Sequence, residues 1–163
     1  MLFISVGYPV GVDYENNYQI EIWGKIVRVS IEDFLFWKDI HKQEESLSDE
    51  QLKKCSQLRD LGLLIYAETP EELFPLVMDL SAIRQGAALC NEEGHRIFIA
   101  NEEIPIPHLY YLIWGHSDGI RSLKNLYETL MNQKGALSKC DNPQYEFVCA
   151  IIMLAASYLI FFR

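Results

Sequence analysis

Apolar and polar residues alternate in short stretches near the start of the chain. Isoleucines alternate with Gln and Glu over 18–23, which predicts a strand with one buried and one solvent-facing side. A polar tip at 14–17 separates this strand from 11–13, as is typical of a β-hairpin. After Gly24, residues 25–29 alternate again. The pattern therefore predicts three consecutive antiparallel strands.

Helical patterns follow these strands. Ser30 precedes two acidic residues and the apolar group 34–37, which predicts a capped helix. Ser48 predicts a second cap, followed by apolar residues at helical spacing. Gly62 is suited to end that helix, and 63–67 then predicts a closing strand.

The same pattern occurs again 77 positions later. Identical residues in the two stretches are Glu15/Glu92, Ile20/Ile97, Ile22/Ile99, Leu35/Leu112 and Trp37/Trp114. After the tryptophans the offset becomes 95, aligning 61–67 with 156–162 and leaving an 18-residue insertion in the second stretch. We interpret this pattern as an internal repeat.

The second stretch predicts its own set of elements. They are a hairpin tip at 91–94, a third strand at 103–107, a helix at 108–114, an amphipathic helix marked by Ile120, Leu123, Leu126, Tyr127 and Leu130, a helix opened by 141–143, and a strand at 159–162. The sequence thus predicts an α+β protein with units at 1–68 and 82–163 and a connector at 69–81.

Residues 147–162 form an apolar run without a charge. A membrane-spanning helix needs about 20 apolar residues, so this run favours a buried helix and strand. We expect no membrane partner. The run is predicted to be buried between the two units or in a homodimer, and these alternatives stay open.

Charge is distributed unevenly between the halves. The net charge is −9, of which residues 1–80 carry −8 and residues 81–163 carry −1. Nucleic-acid binding depends on basic residues, so we expect no nucleic-acid partner and interpret the first half as the face that meets a protein. The four cysteines are scattered, which favours reduced thiols in the cytoplasm.

Motifs for catalysis or metal binding are not found in the sequence. The four histidines lack the spacing of a helical metal site, and no phosphate-binding loop or nucleophile motif occurs. Residues 116–118 contain the residue types of a catalytic triad, but neighbouring residues in a turn cannot form one. Acidic pairs at 92–93 and 102–103 are typical of a solvated strand end. We predict a non-catalytic protein without metal or cofactor.

Four segments resemble a known family. They are IVRVSIEDFLFW (26–37), LKKCSQLRDLGLLI (52–65), EIPIPHLYYLIWGHSDGIRSLKNLYETL (103–130) and FVCAIIMLAASYLIF (147–161). Their order of strand, helix and LGLL-type ending resembles the PqqD-like peptide-binding module, which recognises leader peptides in peptide-modification systems. The resemblance implies two tandem winged-helix-like units, each a three-stranded antiparallel sheet packed on helices.

In that family the third strand and the last helix hold the peptide. The matching positions of the first unit are Lys25, Ile26, Val27, Arg28 and Val29 on the strand and Leu52, Cys55, Gln57 and Arg59 on the helix. Binding by strand addition is the mode this implies. Pro105 and Pro107 lack amide donors, so we predict that the first unit has the working edge.

Other function classes remain as alternatives. The chain is also similar to the acidic tandem winged-helix (kite) subunits of condensin-like complexes, which would predict stable dimers and a helical partner. A transcription regulator is a further alternative, although the apolar last helix offers no basic residues for DNA. The last alternative is an enzyme of a type that has no recognisable sequence motif.

Overall fold

The computed structural model describes residues 1–42, 46–91, 94–133 and 137–163, and its fold is α+β, as predicted. The strands are β1 Leu2–Ser5, β2 Tyr8–Val12, β3 Tyr18–Ile22, β4 Lys25–Val29, β5 Leu64–Ala67, β6 Ser81–Arg84, β7 Ala87–Asn91, β8 Gly94–Ile99, β9 Glu102–Ile106, β10 Asp118–Ser122 and β11 Ile160–Phe162. The helices are α1 Ile31–Asp39, α2 Asp49–Asp60, α3 Pro70–Val77, α4 His108–His116, α5 Leu123–Asn132 and α6 Pro143–Ala156, with short 3-10 helices at Ile40–Lys42 and Leu137–Lys139.

Within the described residues the strands form four small antiparallel sheets. Two are meanders of consecutive strands, β2-β3-β4 and β7-β8-β9, and both were predicted. In the other two, β1 pairs with β5, and β6 lies between β10 and β11. These pairings join distant residues, with Leu2 opposite Ala67 and Ala82 opposite Phe162. The sequence predicted the closing strands of both halves but not the strands that pair with them.

The predicted helix caps are confirmed. The Ser30 hydroxyl accepts the N–H of Asp33 at 3.1 Å. Ser48 and Gln51 form a capping box, in which each side chain accepts the other residue's backbone N–H. Gly62 has φ +75° and follows the end of α2. These features are predictable because a cap depends on partners only a few residues apart.

Two predicted segments differ in the structure. Ile120 was predicted on an amphipathic helix but lies in β10, where its side chain is 81% exposed. The helix begins only at Leu123, because the Ser122 side chain caps it by accepting the N–H of Asn125. The connector at 69–81 contains α3, which packs against α6.

The apolar helix α6 contributes six buried residues to the core. Its buried residues are Phe147, Val148, Ala150, Ile151, Leu154 and Ala155. It packs against α3 and α4 and also touches β1, so both halves of the chain cover it. The helix is therefore covered within the chain by elements of both halves, while the homodimer stays a prediction. In the part of the chain that the structure describes, no helix is long and apolar enough to cross a bilayer.

The two meanders and their following helices correspond closely. β4 and β9 are 77 positions apart at both ends, and so are α1 and α4. Trp37 of α1 donates its indole N–H to the carbonyls of Val6 at 3.2 Å and Leu63 at 3.0 Å. Trp114 of α4 donates its indole N–H to the carbonyl of Gln85 at 2.8 Å. Each tryptophan thus ties its helix to the segment that enters its meander.

The ends of α2 and α6 correspond at an offset of 96 positions, one more than the offset of 95 in the sequence repeat. The N–H of Leu63 bonds to the carbonyl of Leu58, and the N–H of Leu159 bonds to that of Leu154, both at 2.8 Å. Gly62 and Tyr158 precede these residues with positive φ, +75° and +56°. The buried side chains form one cluster across both halves, while the domain boundaries stay a prediction.

A methyl group on Gly86 is expected to destabilise the second meander. Gly86 has φ +82°, and an added Cβ would lie 2.7 Å from the carbonyl oxygen of Phe98. Because that oxygen belongs to the backbone, Gly86→Ala should lower the free energy of unfolding by about 2 kcal/mol in urea titrations. The control is Gly115→Ala in α4, which has open space and should raise stability by up to about 1 kcal/mol. Equal effects of the two variants would contradict this prediction.

Candidate functional site

The outer edge of β4 is the candidate site. Trp23 and Gly24, with φ +49° and +75°, form a two-residue turn that folds β4 back onto β3. The register pairs Ile22 with Lys25 and continues to the end of β4. No strand of the described chain pairs with the other edge of β4.

The register determines which backbone groups face this open edge. Residues flanking a two-residue turn exchange both hydrogen bonds, and the bonded pairs then alternate along the strands. Lys25, Val27 and Val29 therefore bond to β3. Ile26 and Arg28 stand in the non-bonded pairs, so their N–H and C=O groups point away from the sheet. Four backbone groups are thus available to an added strand.

The predicted strand residues divide between the core and this edge. Val29 is buried and Val27 is half-buried, so both pack towards the core. Lys25, Ile26 and Arg28 are exposed, and Ile26 is 52% exposed although it is apolar. An exposed isoleucine beside open backbone groups is suited to contact an apolar side chain of a partner.

The predicted helix residues differ in their exposure. Cys55 is 1% exposed and belongs to the core, whereas Leu52, Gln57 and Arg59 are exposed. The Arg59 guanidinium donates to the hydroxyl of Tyr66 on β5 at 2.8 Å. Arg59 therefore contacts β5, which belongs to a different sheet from β4. Sequence spacing could not reveal this, since it does not determine how a helix packs on distant strands.

Arg28 is held beside the hairpin tip by Asp13. Its Nε lies 3.4 Å from a carboxylate oxygen of Asp13, and the Arg28 side chain remains 55% exposed. The other oxygen of Asp13 accepts the N–H groups of Glu15 and Asn17, each at 2.9 Å. Burial raises the pKa of Asp13, but these hydrogen bonds and Arg28 outweigh it and hold the pKa below its usual value. Asp13 is therefore a fixed anion that orients Arg28.

The corresponding edge in the second half has different chemistry. Pro105 is opposite Arg96 in the register, the place that Arg28 occupies opposite Gln19. Proline has no backbone N–H, and at position 105 that N–H would have pointed outward from β9. The exposed residues Glu102 and Glu103 stand where the first half has Lys25 and Ile26. Pro107 lies outside the strand, at the N-cap of α4, so Pro105 alone affects this edge.

Trp23 is a residue that the sequence reasoning missed. It is 69% exposed at the turn that begins β4, next to the edge residues. The signal was a Trp-Gly pair between two alternating stretches, which marks a two-residue turn whose side chains face solvent. A large exposed aromatic residue adds contact area for a partner.

Other polar groups do not assemble a catalytic constellation in the described residues. His95 Nε2 and His108 Nδ1 lie 2.8 Å apart, but no group of three or more His, Cys, Asp or Glu could hold a metal ion there. The Ser117 hydroxyl is buried and donates to the carbonyl of Ile113 at 2.8 Å, so it is turned away from a relay with His116. Comparisons of this chain with protein-family models, with curated proteins and with solved structures give no match, so no activity is carried over from a relative.

Proposed function

We propose that this protein is a non-catalytic peptide- or protein-binding module that adds an extended segment of its partner to β4. The observation that carries the proposal is the open edge of β4, where Ile26 and Arg28 direct N–H and C=O groups outward. Main-chain hydrogen bonds to such an edge give affinity, and flanking side chains give specificity. A leader peptide of the PqqD-like type is one segment that could bind in this way.

We further propose that the two halves are duplicated winged-helix-like units, only the first of which has a competent edge. The matched bounds of β4 with β9 and of α1 with α4 support duplication, as do the matched indole hydrogen bonds of Trp37 and Trp114. Pro105 supports the division of roles, because it removes a donor from the second edge.

A cytoplasmic location is part of the same proposal. Among the described side chains, Cys55, Cys140 and Cys149 are free thiols. Burial raises the pKa of the Cys55 thiol, which keeps it protonated and unreactive. Free thiols of this kind are typical of a reducing compartment.

Arg28→Pro is expected to weaken peptide binding without unfolding the protein. The substitution removes one outward N–H and leaves the bonds between β3 and β4 intact, as Pro105 does in the second half. Peptides would be selected from a displayed library of random dodecapeptides, and their affinities measured by fluorescence polarisation. We expect binding to weaken roughly tenfold, the equivalent of about 1.4 kcal/mol.

Arg28→Ala is the matched control, because it removes the side chain but keeps the N–H. It should retain more affinity than Arg28→Pro, and the circular dichroism spectra of both variants should match that of the wild type. In the complex, the amide protons of Ile26 and Arg28 should become protected from hydrogen exchange. Selected peptides that bind the proline variant as tightly as the wild type would contradict strand addition at this edge.

A further inference from the structure

We infer that the β4 edge selects an antiparallel segment with the pattern acidic–any–apolar, in which the acidic residue lies opposite Arg28 and the apolar residue opposite Ile26. The inference rests on the proposed function and specifies its ligand. The inference is supported by the side chains beside the β4 edge, and by the different charges of the matching side chains on β9.

The spacing follows from the strand geometry. Ile26 and Arg28 are two residues apart, so their side chains lie on the same face of the sheet. Residues of an added strand that face them must also be two positions apart. In an antiparallel arrangement, the residue opposite Arg28 precedes the residue opposite Ile26 in the partner's sequence.

Neighbouring groups assign a different chemistry to each position. Ile26 is apolar and 52% exposed, so an apolar partner residue opposite it buries apolar surface of both. Gln19, which is neutral, stands opposite Arg28. The Arg28 guanidinium has five N–H donors and is 55% exposed, so it can bind a partner carboxylate while it remains beside Asp13.

The charged residues of β4 differ in sign from the net charge of the first half of the chain. Residues 1–80 carry a net charge of −8, yet β4 contains two basic residues and no acidic one. The matching strand β9 contains two acidic residues and no basic one. The sequence interpretation placed the partner on an acidic face. On the face that Arg28 shares with Ile26, Arg28 is the exposed cation of β4, since Lys25 lies on the opposite face, and an acidic partner residue complements Arg28.

Labelled heptapeptides provide the test. The probe acetyl-Ser-Thr-Glu-Thr-Ile-Thr-Ser-amide would be compared with versions carrying Lys in place of Glu, or with Glu and Ile exchanged. At low ionic strength, wild-type protein should bind the Glu probe roughly fivefold more tightly than either version, because exposed charge pairs contribute modestly. Arg28→Glu should reverse the preference between the Glu and Lys probes.

Arg121→Glu is the matched control, since it changes the net charge equally but lies in β10 of the other half, beside Asp118. It should leave the order of the three probes unchanged. If wild-type protein binds the probes equally while Arg28→Pro still weakens binding, this inference is wrong and strand addition stands. If Arg28→Pro binds every probe as the wild type does, both the inference and the proposed function are wrong.

Discussion

Trp37→Ala is expected to lower the free energy of unfolding by about 3–5 kcal/mol, the usual cost of truncating a buried tryptophan. Trp37 is 1% exposed, and its indole N–H bonds to the carbonyls of Val6 and Leu63. The substitution removes a large buried ring and a donor that joins α1 to the segments beside β1 and β5. Urea unfolding followed by far-ultraviolet circular dichroism measures the effect without depending on tryptophan fluorescence.

The other two tryptophans are the controls. Trp114 is 4% exposed and bonds to Gln85, so Trp114→Ala should be similarly destabilising. Trp23 is 69% exposed, so Trp23→Ala should change the free energy of unfolding by less than about 0.5 kcal/mol. Should Trp37→Ala not fold, Trp37→Phe should still cost about 1–3 kcal/mol through the lost hydrogen bonds. A loss at Trp37 as small as that at Trp23 would contradict the assigned packing.

Acidification is expected to destabilise the protein through His41. Burial lowers the pKa of His41 to about 4, outweighing the hydrogen bond to the Phe3 carbonyl and the attraction of Asp39, which both raise it; Lys42 lowers it further. Nδ1 of the ring is buried without a hydrogen-bond partner in the described structure. The unfolded chain binds a proton near pH 6.5 and the folded one only near pH 4. Stability should therefore fall as the pH drops between these values, by about 3 kcal/mol in total.

His41→Gln separates this contribution from that of the carboxylates. The amide can still donate to Phe3 but does not titrate, so the difference in unfolding free energy between wild type and variant isolates the histidine. That difference should change by about 3 kcal/mol between pH 7 and pH 4. If His41→Gln tracked the wild type throughout this range, His41 would not be buried in its neutral form.

The site was predictable from the sequence in part. The strand at 25–29 follows from alternation and its turn, and the structure places it where predicted. Which of its residues face outward follows from the register, because a two-residue turn fixes the bonded pairs. The helix part of the predicted site stays a prediction, because the partners of its residues depend on how the helix packs. Cys55 and Arg59 share a helix, yet packing buries the first and turns the second towards β5.

Local chemistry alone determined the caps, the two meanders, the α+β class and the break between α6 and β11. Each of these features depends on residues within a few positions of one another. Their side chains and backbone groups interact locally, independently of how the rest of the chain packs. The tertiary structure decided the pairing of β1 with β5, the position of Ile120 in a strand and the burial of α6 by elements of both halves. These features depend on surfaces brought together from distant parts of the sequence, and apolar periodicity shows that a surface must be covered without showing what covers it.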